Sequence, residues 1–143
     1  MPLFGRDLGI DLGTINTLIC EGSDIVLHEP TVVAIDVDEL KIVEVGQAAR
    51  EMDGRVPDTI QVMRPLRHGV IADFEVTQRM LGHFIEKACG PARLFKPRVM
   101  ITVPYGVTSV ESRAVHEAVL QGGSRDAYLI QSPLAAALGV ELP

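Results

Sequence analysis

Nine residues, Gly9-Ile10-Asp11-Leu12-Gly13-Thr14-Ile15-Asn16-Thr17, gather more potential chemistry than any other stretch of this chain. An apolar run ends, a glycine permits a sharp turn, and polar residues follow before the next apolar run. Gly13 lacks the Cβ that would hold a ligand away from the backbone. Successive N–H groups in such a turn point into one concavity, which suits phosphate oxygens. Thr14 and Asn16 add side-chain donors, and Ile15 offers its backbone. Asp11 stands where the strand ends. Its carboxylate can hold the waters of a magnesium ion, which gives up its hydration reluctantly. A plain β-hairpin with a glycine turn and a polar tip has the same composition, because Gly, Thr and Asn are ordinary turn residues.

Other candidates are less concentrated. Ser132-Pro133 reads as the start of a helix, with Ser at the N-cap and Pro in the first turn. Its neighbour Gln131 has the side chain to orient a water molecule. Leu94-Phe95 lie between Pro91 and Pro97 among Arg93, Lys96 and Arg98. An apolar pair ringed by cations can enter an anionic lipid interface, or it can simply cover the end of a neighbouring helix. His28, His68, His83 and His116 share no spacing and read as structural or solvated. Cys20 and Cys89 form no ligand pair, so neither a metal cluster nor a disulfide framework is expected.

The elements that would position these residues follow from periodicity. Asp7–Leu12, Asn16–Cys20 and Ile25–His28 read as three strands joined by tight turns, an antiparallel meander. Thr31–Asp36, Leu40–Val45 and Thr59–Met63 read as further strands, with a short helix over Gly46–Met52. Arg64-Pro65-Leu66-Arg67-His68-Gly69 interrupts the pattern. Val76, Met80, Phe84 and Ala88 then recur every fourth residue, which predicts an amphipathic helix stopped by Gly90-Pro91. Arg98–Val103 and Ala127–Ile130 are short buried strands. Between them Thr108 and Glu111 have capping-box spacing. The helix they open would bury Val110, Ala114, Val115, Ala118 and Val119, and a last helix follows Ser132. Strands alternating with helices require crossovers and parallel pairing. The fold class is therefore α/β with a mixed sheet.

Composition narrows the function classes. With 47% apolar and 22% charged residues the chain is globular rather than disordered. It has no Trp, so its core must come from Val, Ile, Leu and Ala. A net charge of −6 argues against a nucleic-acid partner, which needs a basic face. No apolar run reaches the length of a membrane span. A reducing, cytoplasmic setting fits the two isolated cysteines.

The motif Gly9-Ile10-Asp11-Leu12-Gly13-Thr14-x-Asn16-Thr17 resembles the first phosphate loop of the actin, sugar-kinase and heat-shock-chaperone superfamily, and most closely its MreB branch. The likeness continues through Glu29–Asp36, Arg64–Phe74, Leu94–Val99 and Gly106–Glu111. It closes with Tyr128-Leu129-Ile130-x-x-Pro133-x-Ala135-Ala136-Ala137-Leu138-Gly139. These segments run in the family's order over nearly the whole chain.

The resemblance implies an actin-like, ribonuclease H-like first lobe: a mixed five-stranded sheet with helices, residues 1–31 and 71–143, plus a small inserted α+β subdomain, residues 32–70. It implies ATP and Mg2+ as cofactors, with Gly13, Thr14, Ile15 and Asn16 at the phosphates and Asp11 holding the metal through water. The second lobe, which closes the nucleotide site in the family, is expected to be missing, so nucleotide binding should be weak or absent. The family carries a water-positioning Glu where Ser132 stands here, and a hydroxyl cannot serve as that base. Hydrolysis is therefore in doubt. By the same resemblance the partners are further copies in a filament, the inner face of the cytoplasmic membrane through Leu94 and Phe95, and the cell-wall synthesis machinery. The location would be cytoplasmic and peripheral to the membrane. Two alternatives stand beside this: an ATPase-dead interaction or membrane-docking fragment, and a sugar-kinase-like phosphotransferase. The second would need a carboxylate base, and none follows Val103-Pro104.

Overall fold

The computed structural model describes residues 6–90 and 96–139. Its largest unit is a five-stranded sheet in the order β10-β9-β1-β2-β3. β1 (Asp7–Leu12), β2 (Asn16–Glu21) and β3 (Asp24–Pro30) form the expected antiparallel meander, while β9 (Arg98–Val103) and β10 (Asp126–Gln131) run parallel to β1. The alternation along β1 explains its position. Leu8, Ile10 and Leu12 point to one face and are buried, while Asp7, Gly9 and Asp11 point to the other. β9 repeats this, with Val99, Ile101 and Val103 turned inward.

Two helices cover that inward face. α2 (Phe74–Cys89) presents Met80, Leu81, Phe84 and Ile85 with no exposed surface, and α3 (Ser109–Gln121) presents Val115, Ala118 and Val119. Asp73 starts α2, its Oδ1 accepting from the Val76 N–H at 3.1 Å. Thr108 starts α3 through the Glu111 N–H at 3.1 Å, and the Glu111 carboxylate returns by accepting from the Thr108 hydroxyl at 3.0 Å. The helical period places Val110 in the buried stripe of α3, but it is 77% exposed. It lies in the first turn, before the stripe reaches the core at Val115.

A second sheet, β5-β4-β6, is built from β4 (Val33–Asp36), β5 (Lys41–Val45) and β6 (Ile60–Met63), with the short α1 (Gly46–Glu51) against it. It has its own small apolar cluster of Val32, Ala34 and Ala49. The Arg64–Gly69 stretch, which breaks the sequence pattern, starts a two-stranded hairpin instead: β7 (Leu66–Arg67) pairs with β8 (Val70–Ile71). His68 and Gly69 connect them with φ of 53° and 78°. Two left-handed residues in a row are what a tight hairpin turn demands. Histidine at the first of them is why composition alone conceals it. α4 (Ser132–Gly139) follows β10 directly.

Candidate functional site at the first turn

Strand ladders bring the candidate residues to one edge of the large sheet. Thr102 sits one residue beyond the Ile10–Ile101 pair of β1 and β9, level with Asp11. Its hydroxyl accepts from the Leu12 N–H at 3.1 Å and donates to Asp11 Oδ1 at 3.1 Å. Thr102 is buried and Asp11 exposed, so a buried hydroxyl orients a solvent-facing carboxylate. Thr102 pairs in register with Ile130, and Val103 with Gln131. Gln131 therefore points to the sheet face opposite Asp11. With β9 between them, β1 and β10 lie about 10 Å apart, so Gln131 and Ser132 do not touch Asp11. Ser132 is the first residue of α4, one position inside the N-cap expected for it, and its hydroxyl donates to the Val103 carbonyl at 3.2 Å.

The turn itself is tied on its carbonyl side. The Gly13 N–H donates to the Asn16 carbonyl at 3.0 Å, closing the hairpin. A Cβ on Gly13 would stand 2.8 Å from that same oxygen. Glycine is thus required by the turn's own closure, before any ligand approaches. The Thr31 hydroxyl donates to the Gly13 carbonyl at 2.7 Å and accepts from Thr17 at 2.8 Å, both threonines being fully buried. The Thr31 N–H donates to the Ile15 carbonyl at 2.8 Å. Arg64 Nη1 lies 2.9 Å from the Ile15 carbonyl and 3.2 Å from that of Thr14. The Thr14 hydroxyl, read from sequence as a ligand donor, accepts from the Gly69 N–H at 2.6 Å. The amides of Thr14 and Ile15 remain, without a hydrogen-bond partner among the described residues. Ile15 and Asn16 project into solvent.

Two unpaired N–H groups on a tied loop, next to an oriented and exposed carboxylate, suit a phosphate with a hydrated cation. Among the described residues no group of three or more His, Cys, Asp or Glu side chains could hold a metal ion. Thr102 and Arg64 are absent from the candidates read by sequence. Thr102 offered one signal, as the only polar residue inside an otherwise apolar strand. Arg64 offered none. Leu94 and Phe95 lie outside the described residues.

The model of the MreB/Mbl protein family matches residues 5–143. The chain belongs to the MreB/Mbl family. It is 50% identical over 138 residues to the cell shape-determining protein Mbl of Bacillus subtilis (strain 168), covering 96% of this chain and 41% of that one. It is 47% identical over 147 residues to the cell shape-determining protein MreB of Escherichia coli (strain K12), covering 99% and 42%. The chain therefore spans about two fifths of the length of these relatives. Among solved structures, MreB5 of Spiroplasma citri bound to AMPPNP superposes with a TM-score of 0.83 at 29% identity, over 99% of this chain and 43% of that one. A MamK double helical filament gives 0.77 at 22% identity, over 94% and 43%. That likeness speaks for the fold alone: the chain is actin-like. No described helix is long and apolar enough to cross a membrane.

Proposed function

We propose that this chain is the first lobe of a cell shape-determining, actin-like cytoskeletal protein, and that its first turn receives the phosphates of Mg-ATP. The observation that carries the reading is the turn itself. Its carbonyls are withdrawn onto Thr31 and Arg64, the Thr14 and Ile15 amides are left open, and Asp11 stands oriented by Thr102. Gly13, Thr14, Ile15 and Asn16 would border the phosphates. Asp11 would hold magnesium through its waters, and the metal would supply charge neutralisation at the phosphate oxygens. Residues 1–31 and 71–143 would be the core subdomain. Residues 32–70, with their separate sheet and apolar cluster, would be the inserted one.

These residues line one wall only. A small-molecule site draws its affinity from convergent contacts and from exclusion of water. Binding by the 143 residues alone is therefore weak. The MreB5 neighbour is described as bound to AMPPNP and, in a second structure, to ADP. Ser132 is committed to the Val103 carbonyl and carries no carboxylate, which supports poor hydrolysis by this lobe. The wider activity, filaments that grip the inner membrane face and organise wall synthesis, belongs to the full length of such proteins.

The test is a titration of Mg-ATP followed by the backbone amide NMR signals of the chain. Thr14 and Ile15 should shift at millimolar nucleotide, on the order of the 4 kcal/mol that a millimolar Kd represents, and Asp11→Asn should remove the magnesium dependence. Micromolar affinity would sink the one-wall reading. Unmoved Thr14 and Ile15 signals would sink the phosphate assignment.

A further inference from the structure

We propose that Arg64 is the positioning residue of the first turn, and that it makes the phosphate site conditional on the placement of the small sheet. This rests on the phosphate reading above and deepens it. Arg64 directly follows β6, the last strand of the β5-β4-β6 sheet, and precedes the β7–β8 hairpin. It reaches across to the large sheet through one nitrogen. Nη1 lies 2.9 Å from the Ile15 carbonyl, 3.2 Å from that of Thr14 and 3.5 Å from that of Thr31. These are the turn's two apical carbonyls and the one at the start of the next connection.

The physics concerns peptide orientation. Each peptide plane carries its C=O and N–H on opposite sides. Holding the Thr14 carbonyl toward Arg64 turns the following amide, that of Ile15, the other way. A second tether acts at the same turn, where the Gly69 N–H holds the Thr14 hydroxyl at 2.6 Å. Gly69 in turn packs against Pro104, whose Cγ lies 2.7 Å from where a Cβ would stand. Without Arg64 the apical carbonyls would be free to face the incoming phosphate, which they repel. Anion affinity is thus governed by a residue that never touches the anion. Displacing the end of β6 would withdraw the clamp, so small-sheet position and phosphate binding are linked and reciprocal.

The experiment compares the 143-residue chain with Arg64→Met and Arg64→Lys. Backbone amide NMR is recorded without ligand and during titration with magnesium pyrophosphate. Arg64→Met should move the free-state Thr14, Ile15 and Thr31 signals and speed exchange at the Thr31 amide. It should weaken pyrophosphate binding about tenfold, the value of one lost charge-assisted hydrogen bond. The loss should persist in ~0.5 M salt, where long-range attraction by the arginine charge is screened. Arg64→Lys, which keeps one donor nitrogen, should recover part of both effects. Equal pyrophosphate affinity in wild type and Arg64→Met overturns the clamp and leaves the phosphate turn standing. A weakening that vanishes in high salt, with free-state signals unmoved, also overturns it. Wild-type signals unmoved by pyrophosphate overturn the clamp together with the phosphate assignment.

Discussion

The Thr102 hydroxyl has two tasks at once. It satisfies a strand-end N–H and aims the Asp11 carboxylate in one arrangement, and it is buried while doing so. Thr102→Val keeps the shape and removes both bonds. Leaving the Leu12 N–H unpaired should cost about 1–3 kcal/mol in denaturant unfolding, and the Asp11 side chain should lose its fixed orientation. An unchanged midpoint would show that water replaces the hydroxyl. A different pair governs acid stability. Arg6 holds Glu21 through Nε at 2.5 Å and Nη2 at 2.9 Å, and its Nη1 also ties the carbonyl of Cys89 at the end of α2. The Arg6 hydrogen bond pulls the Glu21 carboxyl below its ordinary value, against a smaller opposing effect of burial. A lowered carboxyl pKa means stability that is present above the unfolded value and lost as pH falls through the folded one. Glu21→Gln should therefore flatten the decline in melting temperature on the acid side and lower stability at neutral pH. The pair is partly exposed, so the difference should stay within about 1 kcal/mol. A neutral-pH melting temperature equal to wild type, with an unaltered acid slope, would count against it.

At the scale of elements, the β7–β8 hairpin matters more than its four strand residues suggest. Its tip seats between two loops of the large sheet, bonded to Thr14 on one side and packed on Pro104 on the other. Gly69 has a φ of 78° and no room for a Cβ. Gly69→Ala should cost on the order of 1–3 kcal/mol from backbone strain and the Pro104 clash together. It should also move the Thr14 amide signal. A silent Thr14 would mean that the hairpin does not support the turn. The helices are more self-explanatory. Period and stop residues for α2 stand in its own sequence, and the structure starts it at Phe74 behind the Asp73 cap. The hairpin had no such signature, because His68 occupies a left-handed position that composition assigns to Gly or Asn.

Across the whole molecule, the ladder sets which ends of the chain meet. The Arg98 N–H donates to the Arg6 carbonyl at 2.8 Å, which extends the contact between β1 and β9 by one bond. In the sequence, Leu94-Phe95 stand between Arg93 and Lys96. We propose that this apolar pair among cations meets an anionic lipid surface. The chain should co-sediment with vesicles rich in anionic lipid, weakly because a single copy has no avidity. A Leu94→Ser, Phe95→Ser double variant should remain in the supernatant. Equal sedimentation of both would remove the loop from consideration.

Local order was legible in the sequence by itself. Alternation gave β1 and β9 their inward rows, a four-residue recurrence gave α2, and Thr108 with Glu111 gave the start of α3. Each depends on side chains within one turn or one strand of each other. The sequence also marked the turn at Gly13, though the glycine answers first to the hairpin's own closure at Asn16. Tertiary structure alone decided what the turn can do. Thr102 meets Asp11 across 91 positions, and Arg64 meets Thr14 across 50. Hydrogen bonds between residues so distant leave no periodic trace, because they exist only once strand order and register have set the partners side by side. The exposure of Val110 follows the same rule. A helical period says which residues share a face, but where that face ends is set by the sheet beneath it.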